Sequence, residues 1–133
     1  MTTIEEHKEI INEFLDDINE KIRAGLIAER QKIIGFSASE AATNLFALLL
    51  HSKNLIEPSF NINHRFFASK RIAESRFNQD FSRKNKIIDL MVKQEEYRIK
   101  LCYGKKKGSE TADSAIKNLF ELKEIVEEEL ENE

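Results

Sequence analysis

The sequence predicts an all-α fold, a single up-and-down bundle of four to five helices that forms one domain over residues 1–133. Only one proline and four glycines punctuate the 133 residues, too few for the tight turns of a multi-stranded sheet. Apolar residues instead recur with the helical period of 3.6 in several segments. Charged residues make up 34% of the chain. That share exceeds the ~25% of an ordinary domain and suits helices with solvated outer faces.

The first helix is predicted to begin at the capping box Thr3-Ile-Glu-Glu6. Its apolar positions follow the helical period and are Ile4, Ile11, Phe14, Leu15, Ile18 and Ile22. The same face continues weakly through Leu26 and Ile33. We therefore expect one long helix that bends near Gly25 and terminates at Gly35.

A second capping box, Ser37-Ala-Ser-Glu40, is expected to open a second helix over residues 37–53. This helix is apolar on most sides and contains an uninterrupted apolar run from Leu45 to Leu50. A helix that is apolar all round is usually buried. We expect it to lie at the centre of a mostly antiparallel bundle.

Three further helices are predicted after a loop of residues 54–63 that contains Pro58. Polar caps and terminal glycines mark most of their ends. The first of these helices runs from about His64 to Phe77 after the cap Asn63. The second runs from about Arg83 to Cys102, with Ser82 as its N-terminal cap and a left-handed Gly104 just past its end. The third runs from about Glu110 to Glu131.

Compartment signals favour a cytoplasmic protein with no membrane association. The single cysteine, Cys102, cannot form an internal disulfide, which fits a reducing compartment. No apolar run approaches the ~20 residues that a membrane span requires. The first turn carries Glu5, Glu6 and Glu9, the opposite of the basic region that opens a secretory signal.

Charge divides unevenly along the chain. Residues 64–107 contain 13 Lys or Arg against 5 Asp or Glu, whereas residues 108–133 contain 2 against 9. A basic middle beside an acidic last helix is compatible with a phosphate-binding face. It is equally typical of two solvated helices that pair by charge, within one chain or across a dimer. We favour the second interpretation.

Sequence motifs for catalysis are absent. There is no Walker loop and no glycine fingerprint of a dinucleotide-binding fold. His7, His51 and His64 stand too far apart for a metal motif. Glu95 and Glu96 are adjacent and point to different sides of a helix, so they make no acid–base pair. We predict no catalytic residue, no metal and no cofactor.

Two short segments carry side chains suited to an anion. His64 and Arg65 open the predicted third helix, where backbone N–H groups and a cation would hold a phosphate. Arg98 and Tyr103 stand five apart at the end of the fourth helix, beside the basic turn that begins at Lys105. A guanidinium and a phenol there would suit a phosphate or an RNA backbone. The alternatives are structural: a cap followed by exposed polar residues, and an ion pair between Arg98 and a glutamate of the last helix.

Three segments together resemble the HEPN superfamily. They are the second predicted helix (SASEAATNLFALLLHSKNL), the turn from Arg98 to Gly104, and the last predicted helix (ADSAIKNLFELKEIVEEEL). The resemblance covers the layout from Ile10 to Leu130. HEPN proteins are helical bundles, usually homodimers, and many are encoded beside a minimal nucleotidyltransferase or in toxin–antitoxin pairs. The resemblance therefore implies a homodimer, with a nucleotidyltransferase-type protein as a candidate partner.

In the ribonuclease members of that superfamily an Arg, four residues and a His form the catalytic motif, which is paired across the dimer interface. Arg98 matches the Arg, but Tyr103 falls where the His should be. A free phenol has a pKa of ~10, too high for an efficient general base at neutral pH.

We therefore expect a non-catalytic HEPN-like dimer that binds a partner protein or a nucleotide. One alternative is a metal-independent ribonuclease that uses Arg98 with another group. The other is a basic helical scaffold, unrelated to HEPN, that binds nucleic acid through its phosphates alone.

A symmetric homodimer is also favoured by the supply of apolar side chains. Four amphipathic helices cannot hide all the phenylalanines, and the expected surplus is Phe60, Phe66, Phe67, Phe77 and Phe81. Exposed apolar patches of this kind tend to mark interfaces.

Overall fold

The computed structural model describes residues 2–106 and 108–132, and every regular element in that part of the chain is helical. The elements are α1 (Ile4–Arg23), α2 (Gln31–Ser52), a short 3₁₀-helix (His64–Phe67), α3 (Lys70–Arg76), α4 (Lys84–Tyr103) and α5 (Glu110–Glu131). The predicted all-α fold is confirmed. The bounds of α5 are those predicted.

α2 packs against α1, α4, α5 and the 3₁₀-helix, which places it at the centre of the bundle as predicted. The long helices alternate in direction. The start of α1 meets the end of α2, where the rings of His7 and His51 stack. Gly35 near the start of α2 lies against Leu101 near the end of α4. The bundle is therefore up-and-down through α1, α2, α4 and α5.

The core is built around the apolar run of α2. Its members are almost completely buried and are Leu45, Phe46, Leu48, Leu49 and Leu50. By length and composition alone α2 would suffice to cross a membrane, and 72% of its most apolar stretch is buried inside the bundle. The core helix of a soluble protein has the same properties, so the predicted compartment stays a prediction.

The predicted junction between the first two helices is wrong. The Thr3 capping box is present, but α1 ends at Arg23, and Gly25 turns the chain with a φ of +70°. α2 begins at Gln31 and runs through Gly35 without a break. A Cβ at Gly35 would lie 2.7 Å from the Leu101 Cβ. Gly35 thus serves the close approach of α4 rather than the end of a helix.

The capping box expected at Ser37 does not cap, because Ser37 lies inside α2. The predicted third helix is divided in two. The Asn63 side chain accepts a hydrogen bond from the Arg65 backbone N–H and caps the 3₁₀-helix. The Ser69 side chain accepts from the Ile72 N–H and caps α3.

The ends of α4 also differ from the prediction. Arg83, with a left-handed φ of 58°, precedes the helix in place of the predicted cap Ser82. Gly104 follows the helix with a φ of −83°, so it is not left-handed. A side chain at Gly104 would collide with the Lys100 carbonyl oxygen, which explains why glycine suits this position.

Charge pairing within the chain accounts for part of the divided charge. The Arg83 guanidinium binds Glu128 at 2.9 Å and Glu129 at 2.7 Å. Lys86 binds Glu121 at 2.8 Å. These contacts join the basic start of α4 to the acidic end of α5. The favoured interpretation, two helices that pair by charge, is correct for these residues.

The five phenylalanines that were expected to be exposed instead form an aromatic cluster with Phe46. Their burial removes one of the arguments for a homodimer. Phe67 and Phe77 are buried, and the remaining members are partly buried against the core. Phe77 stacks on Phe67 with ring centroids 5.6 Å apart and meets Phe46 edge-on at 4.9 Å. The loop of residues 54–63 and the segment around α3 fold back on α2, which hides rings that four helices alone would leave exposed.

Candidate functional site

The last turns of α4 gather the residues of the candidate site. Glu95, Arg98 and Cys102 succeed one another at spacings of three and four, so they share one face of the helix. Glu95 is only 6% exposed. The Arg98 side chain is 18% exposed, and one of its terminal nitrogens, Nη1, lies 3.8 Å from a Glu95 carboxylate oxygen. The buried carboxylate therefore holds the guanidinium near the surface.

Arg98 and Tyr103 are in contact. The Arg98 Nη2 lies 3.5 Å from the Tyr103 hydroxyl, and the centre of the guanidinium lies 5.6 Å from the centroid of the Tyr103 ring. Tyr103 is 72% exposed. α4 includes Tyr103, and five residues advance a helix by ~500°, so the two positions lie ~140° apart around its axis. The two long side chains bridge this angular difference.

His64 joins this group through the same buried carboxylate. Its Nδ1 lies 3.0 and 3.2 Å from the two Glu95 oxygens. An ionised carboxylate only accepts, so Nδ1 carries the proton and Nε2 is left for another partner. We name His64, Glu95, Arg98 and Tyr103 the Arg98 cluster.

Sequence reasoning missed Glu95, the residue that joins the cluster. It excluded Glu95 and Glu96 as an acid–base pair, which is consistent with a buried Glu95 and an exposed Glu96. That argument did not consider a partner from outside the helix. His64 is 31 residues away from Glu95, and no spacing rule connects positions so far apart. The only signal was the helical period, which puts Glu95 on the same side of α4 as the buried Met91.

The other predicted binding residues lie outside the Arg98 cluster. Arg65 is exposed, and its backbone N–H is already bound by the Asn63 cap. That N–H is therefore not free for an anion at the start of the 3₁₀-helix. Lys105 lines a separate cavity of about 220 Å³ with Lys100 and Thr111. Residue 107, at the end of the basic turn, lies outside the described residues.

Cys102 lies beside the cluster without a chemical role in it. Its Sγ is 3.5 Å from the Lys32 carbonyl oxygen. Burial raises the pKa of the Cys102 thiol, and the charge of Arg98 only partly opposes that effect. A protonated, partly buried thiol is a poor nucleophile.

Metal-binding geometry is not found in the part of the chain that the structure describes, where no three His, Cys, Asp or Glu residues converge. The site chemistry supported by the geometry is a fixed guanidinium, a phenol and a carboxylate-bound imidazole within one contiguous group.

The sequence matches no protein-family model, and neither the curated proteins nor the solved structures yield a match. The relationship to HEPN proteins therefore stays a prediction.

His7 and His51, the two remaining histidines, form a stacked pair between α1 and α2. Their ring centroids lie 5.5 Å apart. Burial of the His51 ring and the nearby His7 both lower the pKa of His51, although a hydrogen bond to the Phe60 backbone acts in the opposite direction. The imidazole of His51 is therefore held in its neutral form at neutral pH.

The stacked histidines predict a loss of stability in mild acid. Because the folded pKa of His51 lies below the unfolded value near 6.5, the unfolded chain binds more protons as the pH falls through 6.5. The stabilisation is complete above that value and is lost below it. We expect the melting temperature to fall between pH 7.5 and pH 5.5, and to fall less in the His51→Gln variant. Parallel pH profiles for the two proteins would contradict this role of His51.

Proposed function

We propose that this chain is a HEPN-like homodimer that binds a phosphate-bearing ligand, a nucleotide or an RNA backbone, at the Arg98 cluster. The observation that supports the proposal most is that Arg98 uses few of its hydrogen-bond donors within the described part of the chain. Its guanidinium lies 3.8 Å from the buried Glu95 and 3.5 Å from the Tyr103 hydroxyl, and the Tyr103 contact is its one hydrogen bond within the described residues. Most of its five N–H donors remain available.

The chemistry of the group suits a phosphate. A guanidinium presents its donors as a planar fork that matches two phosphate oxygens, and such charge-assisted bonds are about twice as strong as neutral ones. The exposed Tyr103 hydroxyl adds a donor or a surface on which a base stacks. Glu95 lies behind Arg98 rather than in front of it, because it is buried while Arg98 reaches the surface.

The proposed homodimer is supported by exposed apolar residues at the same end of the bundle. They come from the end of α1, the start of α2 and the end of α4, and they are Ile22, Ile33, Phe36, Ile99 and Tyr103. Grouped apolar side chains on a surface tend to mark an interface. A nucleotidyltransferase-type protein, the partner implied by the resemblance, is the candidate for a second contact.

Replacing Arg98 tests the proposed function. Arg98→Lys keeps a positive charge beside Glu95 but removes the planar fork, so we expect the melting temperature to change little. Affinity for a fluorescein-labelled single-stranded oligoribonucleotide or for a nucleotide should fall about tenfold, equivalent to ~1.4 kcal/mol. The measurement is fluorescence anisotropy at two salt concentrations. Arg71→Lys on α3 is the control, since Arg71 is exposed and makes no ion pair among the described residues.

Arg98→Ala separates binding from structure. If Arg98 serves a ligand, this variant loses binding and keeps most of its stability, because His64 still contacts Glu95. A loss of a few kcal/mol of stability with unchanged binding would make Arg98 a structural ion-pair partner of a buried carboxylate. The proposed function would then be wrong.

A second candidate function, metal-independent ribonuclease, is favoured by one specific observation. His64 is a candidate for the histidine missing at position 103, because its Nδ1 contacts Glu95, the carboxylate that also contacts Arg98. A carboxylate that orients an imidazole leaves Nε2 to take a proton, as in catalytic triads. RNA cleavage that persists in excess EDTA and disappears in His64→Gln would establish this activity. Binding without cleavage would leave the first proposal standing alone.

A further inference from the structure

A cavity of about 550 Å³ lies between α1, the part of α2 from Glu40 onward and the loop of residues 54–63. Its size is that of a small-molecule site. Arg98 and Tyr103 do not line it. His64 belongs to both the cavity and the Arg98 cluster, because its side chain lines the cavity and its Nδ1 binds Glu95. The cavity is therefore adjacent to the Arg98 cluster but chemically distinct from it.

The charge of the cavity wall is negative. Glu13 of α1 and Glu40 of α2 line it, and no lysine or arginine does among the described residues. Neither carboxylate forms an ion pair or a side-chain hydrogen bond in residues 2–106 and 108–132. A wall with two uncompensated carboxylates disfavours a phosphate and attracts a cation.

The wall also contains a buried hydrogen-bond acceptor without a donor. The Asn44 amide nitrogen donates to the Glu40 carbonyl at 2.8 Å, so the Asn44 amide oxygen must accept from His7 Nδ1, also at 2.8 Å. In the neutral ring this leaves a lone pair on His7 Nε2. His7 is only 7% exposed, and its Nε2 is buried with no hydrogen-bond partner. An acceptor buried without a donor destabilises the fold until a donor reaches it.

Aromatic and apolar groups complete the wall. Phe14 and Phe60 line the same cavity as the two carboxylates. Aromatic faces attract ammonium groups, and they also pack against the methylenes between them. The wall thus combines anionic, acceptor and apolar surface.

We propose that this cavity binds a small aliphatic polyamine. Its ammonium groups form ion pairs with Glu13 and Glu40, and one of its N–H groups donates a hydrogen bond to His7 Nε2. Its methylenes pack on Phe14 and Phe60. The class follows from the wall, which offers two carboxylates and, among the described residues, no lysine or arginine. A monovalent inorganic ion would leave most of the volume unfilled.

Isothermal titration of the full chain with spermidine tests the proposal. We expect saturable binding at one site per chain at ~0.15 M salt. Glu40→Gln and Glu13→Gln should each weaken that binding at least tenfold. Glu124→Gln is the matched control, since Glu124 is an exposed residue of α5 with no ion pair in the described part of the chain. It removes the same charge from the protein and should leave the affinity unchanged.

An independent readout comes from the imidazole itself. In ¹⁵N spectra the His7 Nε2 resonance should move on addition of spermidine in the wild type, and in Glu40→Gln it should move only at spermidine concentrations at least tenfold higher. Absence of saturable binding would overturn the proposal. So would an equal loss in Glu124→Gln, which would show only diffuse attraction to an acidic protein. Loss of RNA binding in the Arg98 variants with spermidine binding intact would show that the two sites are independent.

Discussion

Leu49→Asp is expected to abolish the cooperative unfolding transition of the protein. Leu49 lies in the middle of α2 and is completely buried, where α2 contacts α1, α4 and α5. Loss of the leucine side chain alone costs ~2–5 kcal/mol. A carboxylate without a partner in the same space adds a desolvation penalty. The sum is comparable with the ~5–15 kcal/mol that stabilises a typical domain.

Circular dichroism during thermal and urea unfolding measures this effect. Ile72→Asp is the matched control, because it places the same charge on α3, at a position that is 41% exposed and lies outside the proposed dimer interface. We expect that variant to keep its transition within a few degrees. A Leu49→Asp protein with unchanged melting temperature would refute the central position of α2.

Most of the fold was predictable because α1 and α5 carry periodic apolar faces and α2 is apolar on most sides. α5, with a regular apolar face from Ala112 to Val126, was predicted to the residue. The errors arose where a residue has two physical uses. A glycine at position 35 predicts the end of a helix, yet Gly35 is needed inside α2 for the contact with Leu101. Local sequence does not distinguish the two uses, because the deciding atom belongs to another helix.

The candidate site was predictable only in part for the same reason. Arg98 and Tyr103 stand close together at the end of one helix, so the sequence alone could place both in one candidate site. His64 and Glu95 come from elements far apart in sequence, and only the packing of the 3₁₀-helix against α4 brings them together. The cavity beside His7 likewise draws on α1, α2 and a loop. Sites within one element are visible in a sequence, whereas sites between elements require the fold.

Phe77→Ala is expected to lower the free energy of unfolding by ~3–5 kcal/mol. Phe77 is completely buried, and its ring contacts those of Phe46, Phe60, Phe66 and Phe67 at centroid distances of 4.9 to 6.1 Å. Removing the ring leaves a cavity that these neighbours cannot fill without leaving their own positions, and it also removes the ring–ring attraction. Urea unfolding monitored by circular dichroism gives the change directly.

The same substitution at Phe36 distinguishes a core ring from an interface ring. Phe36 is 44% exposed at the start of α2, so Phe36→Ala should change the unfolding free energy by no more than ~1 kcal/mol at a protein concentration where the chain is monomeric.

If the end of the bundle that carries Phe36 joins two copies, light scattering should show a dimer for the wild type and a weakened dimer for Phe36→Ala. Phe77→Ala should lower the free energy of unfolding and leave the chains that are folded dimeric. The reverse outcome, a stable monomer from Phe77→Ala and an unfolded Phe36→Ala, would return the aromatic cluster to an interface and contradict its burial in the core.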